Sequence, residues 1–383
     1  MFRILYPSSD TTILEASSKQ NTGLDEILQI GKQDTTGGTN YLKSRSLVKF
    51  DLSQVNTTLE KYTTNIENCK FFLQLYTTHA VNLPSSYNIE AKILGNDWDN
   101  GLGYANSSPI ITNGCTWTYP KSGSSWVSSS QNQEITGGSN LLIKGLGTGG
   151  SFLEQSPNSG LQLIFSQSFE RVTDLDKSNS TRNTDIYMDV TAAIRTWQSG
   201  SNGKTIPNYG FLLQFSDTDE ALANKFGSLS FFSRETHTIY VPKLLMLFDK
   251  SSFATGSLSE FNIDSYTIYT DLKSEYSDIS VNKIRIFCRD KYPQKSPTNL
   301  FPEDTVKYLP TGSLYSIRDA GTEEVVIPFN TNYTKISCDS ISNFINLDMS
   351  GLMPERYYRL IFKVTSGIYE EFIDDNLYFK VVR

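Results

Sequence analysis

The sequence predicts an all-β protein: an N-terminal jelly-roll-like β-sandwich with one short helix, followed by a smaller, Ig-like C-terminal β-sandwich. Three observations carry this expectation. Tyr and Phe are abundant, at 21 and 22 residues, and aromatic side chains favour the pleated, half-buried surface of a strand. Ser, Thr and Asn crowd the intervals between apolar segments, as turns and loops require. Apolar residues recur with a period of two, which puts them on one face of a strand. A chain of 383 residues also exceeds one ordinary core and divides naturally into two domains.

The elements follow in order. In "SLVKFDL", Val48, Phe50 and Leu52 share one face, and Leu47, Lys49 and Asp51 the other. The same alternation marks Phe71, Leu73 and Leu75; Ile89, Ala91 and Ile93; and Leu161, Leu163 and Phe165. It returns at Phe211, Leu213 and Phe215, then at Leu244, Met246 and Phe248. One stretch departs from it: "DVTAAIRTWQSG" sets Val190, Ile194 and Trp197 at helical spacing, with Thr191 as the expected N-cap and Gly200 past the end.

Between Asp249 and Phe261 the alternation stops in "DKSSFATGSLSEF". The boundary is expected there, giving a first domain over 1–250, a linker over 251–260 and a second domain over 261–383. Strands resume in "NKIRIFCRD", where Ile284, Ile286 and Cys288 alternate with Arg285, Phe287 and Arg289, and again in "YYRLIFKVTS" and "LYFKVV". Residues 134–160 and 290–312, rich in Gly, Ser and Pro, are expected to be long loops that serve as interaction surfaces.

Charge and composition exclude several functions. Thirty-four basic against forty-one acidic residues leave a net charge of -7, which disfavours binding to a phosphate backbone, so nucleic acid is not an expected partner. No segment approaches the roughly 20 apolar residues of a membrane span, and a soluble protein is expected. The opening "MFRILYPSSDTT" lacks the apolar core of a signal peptide, so the mature chain is expected to begin near Met1. Cys69, Cys115, Cys288 and Cys338 stand far apart, without the short spacing of a zinc or redox motif, and free thiols are expected. Nothing in the sequence calls for a cofactor.

Chemistry finds few candidates. The chain holds two histidines, His79 and His237, both in strand-like text without a nucleophile motif, and no enzyme is expected. "DLDKSNSTRNTD" imitates a calcium loop, with Asp174, Asp176 and Asp185 as candidate ligands, but Asn179 stands where a glycine belongs and Arg182 occupies the ninth position. A solvated turn is the expected state of that stretch. "NDWDNG", with Asp97 and Asp99, offers too few carboxylates. The aromatic stretch "GCTWTYPKSGSSWVSS" could stack sugars on Trp117, Tyr119 and Trp126, or its rings could close the end of the sandwich as a small core.

Five segments in order, "TTILEASSKQNTGLDEILQIGK", "SRSLVKFDLS", "NDWDNG…GCTWTYPKSGSSW", "MDVTAAIRTWQSG" and "NYGFLLQFSD", resemble the DNRLRE (disaggregatase-related) β-sandwich family over about the first 250 residues. The family's "Arg-x-Leu-x-Lys-Phe-Asp-Leu" strand is matched by Arg45, Leu47, Lys49, Phe50, Asp51 and Leu52. The resemblance implies that this is a scaffold strand, with Arg45 anchoring a sheet edge. It implies a jelly-roll-like fold shared with carbohydrate-binding modules and virion proteins. With a direct start and a small β tail, the architecture is similar to that of bacteriophage neck and tail proteins. The expected function is therefore that of a virion structural protein, a ring or collar subunit assembled in the host cytoplasm. Its expected partners are copies of itself and neighbouring portal, neck and tail proteins. The alternative is a carbohydrate-binding module that holds host-surface glycan on Trp117, Tyr119 and Trp126.

Overall fold

The computed structural model describes residues 1–34, 41–128, 131–135, 139–154, 161–170, 184–199, 206–223, 227–248, 261–262, 264–301, 305–366 and 369–383. The expected linker over 251–260 lies outside them. Strands β1 to β7 are Phe2–Leu5, Pro7–Leu14, Ile27–Asp34, Tyr41–Phe50, Cys69–Leu75, Thr77–Val81 and Ser86–Ile93. Strands β8 to β15 are Gln131–Ile135, Ser139–Gly145, Ser151–Glu154, Ile164–Glu170, Ile186–Asp189, Phe211–Phe215, Gly227–Phe232 and Lys243–Phe248. Strands β16 to β24 are Tyr266–Thr270, Glu275–Ser277, Val281–Asp290, Leu314–Asp319, Val325–Ile327, Ser337–Cys338, Asn343–Asp348, Arg356–Ser366 and Tyr369–Val382. Helices α1, α2 and α3 are Ser53–Tyr62, Thr191–Ser199 and Asp217–Ala221. The protein is an all-β sandwich fold of largely antiparallel sheets.

Its contacts divide the chain into two compact units, and not by a single cut. The larger comprises Leu5–Leu59 and Lys70–Leu245; the smaller comprises Met1–Ile4, Glu60–Cys69 and Met246–Arg383.

In the larger unit, the main sheet runs β11-β7-β13-β4-β3-β14-β6, and β2 also pairs with β4. Strand β4 is thus a hub. It pairs with β3 at Tyr41–Ser44, with β2 at Ser44–Phe50 and with β13 at Ser46–Val48. Arg45 therefore sits within the sheet, not at an edge as the resemblance implied. From Ser44 to Val48 every residue of β4 is buried, and so is every residue of β13. Leu47, expected on the polar face, is fully buried because the loop of Trp98, Trp117 and Trp126 covers that face. Strands β10, β9 and β8 form an antiparallel meander, so the stretch expected as one long loop over 134–160 contains two strands.

Among the described residues, three short α-helices occur where one was expected. For α2, the cap differs in detail: Asp189 Oδ1 accepts the backbone N–H of Thr191 at 2.9 Å, while the Thr191 hydroxyl accepts from Phe71 N at 2.9 Å. Gly200 lies outside the described residues. Before α1, Asp51 accepts from the backbone N–H and the hydroxyl of Ser53, both at 2.9 Å. Leu52, Val55 and Tyr62 of this segment are buried, on an apolar stripe hidden among Asn and Thr. Ser216 caps α3, its hydroxyl accepting from Asp219 N at 3.1 Å.

The smaller unit is a two-sheet sandwich, with one sheet in the order β16-β18-β22-β21 and the other in the order β17-β24-β23-β19-β20. Among the described residues of these two sheets, the strand pairings are antiparallel except that of β17 with β24. Ile284, Ile286, Ile345 and Leu347 supply buried residues from the first sheet, and Ile317, Leu360, Phe362, Phe379 and Val381 from the second. Two distant segments complete it. The Met1 ammonium donates to Phe248 O at 2.8 Å and to Tyr333 O at 3.1 Å. The Tyr62 hydroxyl and the Lys61 ammonium both donate to the buried carboxylate of Asp348.

Candidate functional site: an aromatic and basic cleft

The residues singled out in the sequence fall into different settings. Trp117 and Trp126 pack with Trp98, Cys115, Ile13, Leu47, Leu94, Phe152 and Leu212 in one buried cluster of the larger unit. Trp126 is 1% exposed, and its ring N–H donates to Thr116 O at 3.1 Å. Tyr119 is half-buried. The expected sugar platform is thus a small core: its tryptophan faces are occupied by neighbouring side chains and cannot stack on a pyranose. Asn21 holds the covering loop down, donating to Asn100 O and Cys115 O at 2.8 Å and accepting from Gly103 N at 2.8 Å. Because all four tryptophans are buried, their emission should resist iodide quenching in the native state and become accessible only on unfolding. Strong native quenching would contradict this placement.

Arg45 has become part of a buried ion network. Its Nε and Nη2 donate to Glu220 Oε1 and Oε2 at 3.1 and 2.6 Å, its Nη1 donates to Gly149 O at 2.6 Å, and its guanidinium lies 5.4 Å from the Trp117 ring centre. Gly149 permits this approach: its φ is +75°, and a Cβ there would lie 2.7 Å from Trp117 Cζ2. Lys43 adds a second cation 3.3 Å from Glu220 Oε2. Every acceptor here is engaged by protein, so the network is a scaffold.

For the calcium reading, Asp174 and Asp176 lie outside the described residues. Asp185 is committed to the backbone, its Oδ1 accepting Thr77 N at 2.7 Å. Asp97 faces cations: Lys121 and Lys49 approach it to 2.8 and 3.2 Å. Burial opposes ionisation of Asp97, but these two lysines outweigh it and hold the carboxyl below its usual range. Among the described residues, no three His, Cys, Asp or Glu side chains are grouped to hold a metal. Both histidines are exposed. No described helix is long and apolar enough to cross a membrane.

A concave surface does occur in the smaller unit, on the outer face of β16 and β18. Alternation builds it. With Ile284, Ile286 and Cys288 turned inward, β18 turns Phe287 and Arg289 outward. Tyr269 is the direct cross-strand partner of Phe287, and the rings stack with centroids 5.0 Å apart at 16°. The Arg289 guanidinium lies 5.3 Å from the Tyr269 ring centre, a distance at which a cation is attracted to the ring face. Val306, Lys307 and Ile341 complete the walls of a cleft of about 180 Å³.

Polar anchors set these walls. Lys307 pairs with Asp290 at 3.3 Å and bridges β18 at Cys288. Asp339 accepts from Lys283 Nζ at 2.6 Å and Arg285 Nη1 at 3.1 Å, and its Oδ1 accepts the backbone N–H groups of Ile341 and Ser342. Hydrogen bonds from Lys283 and then Arg285 hold the Asp339 carboxyl well below the usual carboxylate range, so the turn presenting Ile341 stays pinned at neutral pH. On the inner side of β18, behind the cleft, burial, reinforced by Asp290, pushes the Cys288 thiol up to about 12. It is protonated near pH 7 and is no nucleophile.

The cleft is smaller than the roughly 300 Å³ at which small-molecule sites usually begin. It fits one or two side chains. Its trace in the sequence is the outward Phe287 between Arg285 and Arg289.

No family model matches the chain, and no curated protein matches it. Among solved structures, it is similar to the adhesin domain of Epf from Streptococcus pyogenes at 9% identity, over 100% of this chain and 91% of that one, with a TM-score of 0.17. So slight an overlap carries no argument about fold or activity.

Proposed function

We propose that this protein works by contact, as a structural subunit of a bacteriophage virion that assembles in the host cytoplasm into a neck or tail ring or collar. The observation that carries the contact reading is the distribution of exposed apolar side chains. Among the described residues, twelve of the twenty-one large exposed hydrophobics lie beyond residue 260, Tyr292, Leu300, Phe301 and Ile341 among them. Contiguous exposed apolar surface marks an interaction site, and Tyr269, Val306 and Ile341 meet at the one cleft described above. The virion assignment rests on the DNRLRE resemblance and on the pairing of a large with a small β-sandwich, an architecture that tolerates many copies side by side.

The test is cross-linking mass spectrometry and cryo-EM of native particles. Copies of this chain touching each other and neighbouring virion proteins are expected. A single envelope-bound copy holding glycan near Trp117 would overturn the reading in favour of carbohydrate binding.

A further inference from the structure

In the larger unit, Lys92 of β7 and Gln214 of β13 are both 0% exposed. Register puts them on one face: Leu212 is the direct partner of Lys92 and Gln214 that of Glu90, so Lys92 and Gln214 are diagonal neighbours, within reach of each other for long side chains. One atom joins them. Asp217 Oδ1, at the start of α3, accepts from Lys92 Nζ at 2.7 Å and from Gln214 Nε2 at 2.8 Å. Glu90 Oε2 lies 3.2 Å from the same Nζ, and the Phe152 ring centre 4.1 Å from it.

As a scaffold this cluster is incomplete. A carboxamide in the core normally satisfies both its ends, yet Gln214 Oε1 is buried without a hydrogen-bond partner among the described residues. As chemistry the same groups are complete: an amine, an amide carbon that can accept it, and a carboxylate within hydrogen-bond reach of both. Burial opposes ionisation of Asp217, but the hydrogen bond from Lys92 outweighs it and holds the carboxyl below its usual range. Asp217 thus stands as a proton acceptor. Its side chain is 58% exposed, which opens a way to solvent for a small product.

We propose that Lys92 and Gln214 become joined by an amide bond, a covalent staple between β7 and β13 that the folded chain forms by itself with Asp217 as the base. Asp217 takes a proton from the Lys92 ammonium, and the freed Nζ attacks Gln214 Cδ. The Cδ–Nε2 bond then breaks; Nε2 takes a second proton from Nζ and the one held by Asp217, and leaves as ammonium. Asp217 is a carboxylate again, and no co-reactant is consumed. One amide replaces another, and groups held as neighbours react as parts of one molecule. Asp217 itself is the poorer acceptor of the amine, because an ionised carboxylate repels a nucleophile and water at its exposed side favours hydrolysis. A link from 92 to 214 restricts the unfolded chain as a disulfide does, in a protein whose four cysteines are free. It does not depend on what the protein contacts.

The test is the mass of the full chain under denaturing conditions. A mass lower by one ammonia than the sequence requires is expected, with tandem spectra of a tryptic digest showing the peptides of Lys92 and Gln214 joined and no cleavage after Lys92. Lys92→Arg and Gln214→Leu should each show the mass of the unlinked sequence, and Asp217→Asn should leave most of the chain unlinked with an unchanged circular dichroism spectrum. The linked chain should also run faster than these variants on a denaturing gel, since an internal loop compacts the unfolded chain. A native chain of full sequence mass would overturn the proposal and leave Lys92 and Asp217 an ion pair only. So would a loss of one water mapped to Lys92 and Asp217. An ammonia loss mapped instead to Asn100 or Asn113, each of which precedes a glycine and can close a ring on the next peptide nitrogen, would overturn it too. Linkage undiminished in Asp217→Asn would overturn the role given to that carboxylate.

Discussion

Replacing Glu220 with Ala should cost the larger unit about 3–5 kcal/mol, because the change leaves the Arg45 guanidinium buried beside Trp117 without its counter-charge. The side chains of Arg45 and Glu220 are 10% and 5% exposed, so water cannot replace the lost carboxylate without opening the structure. Arg45→Ala should be similarly damaging, since it strands Glu220. Lys43 lies 3.3 Å from Glu220 but is 28% exposed, and it can turn to solvent. The paired change Arg45→Met with Glu220→Leu should recover most of the loss, because apolar groups of similar volume need no counter-charge. Urea unfolding at constant m-value measures all three. A loss below about 1 kcal/mol for Glu220→Ala, the range of exposed pairs, would show that water reaches the network.

Asp10→Asn should stabilise the protein at pH 8 and do little at pH 4. Asp10 is 1% exposed; its Oδ2 accepts Arg234 N at 2.7 Å, and its Oδ1 has no hydrogen-bond partner among the described residues. Burial raises its pKa from 3.8 to about 7, against the opposing effects of the Arg234 backbone N–H and charge, while the Glu235 carboxylate adds to the rise. Here the folded-state pKa lies above the unfolded one. The native carboxyl keeps its proton where the unfolded chain has released it, so stability falls as pH rises from about 4 to about 7 and is then level. The full cost above that window is on the order of 4 kcal/mol. Thermal melts of both proteins at pH 4, 6 and 8 decide it. An Asn variant equally destabilised at every pH would mean that the carboxylate is satisfied after all.

What the sequence disclosed, and what it withheld, follows from the range of the interactions. Alternation in "NKIRIFCRD" placed Ile284, Ile286 and Cys288 inward, because strand periodicity is a local property. The same reasoning turned Leu47 outward, since nothing local tells a strand with one covered face from a strand with two. Helix α1 escaped notice because Asn and Thr fill "SQVNTTLEKY" and mask its stripe. Arg45 could be singled out but not explained: Glu220 is 175 residues away. The aromatic loop declared its rings but not their burial. The cleft depends on β16, β18 and the turn at Ile341 converging, a tertiary event with only the outward Phe287 as its local trace.

The placement of Met1 has a consequence in time. Its ammonium is held by Phe248 O and Tyr333 O, residues that do not exist when the first strand leaves the ribosome. At about 5–20 residues per second, synthesis as far as position 248 takes roughly 12–50 s. Throughout that interval Phe2 and Ile4, at 1% and 6% exposure among the most sheltered side chains of the finished protein, have nowhere to go. Strand β1 is thus seated only after a partner 247 residues further along the chain has been made.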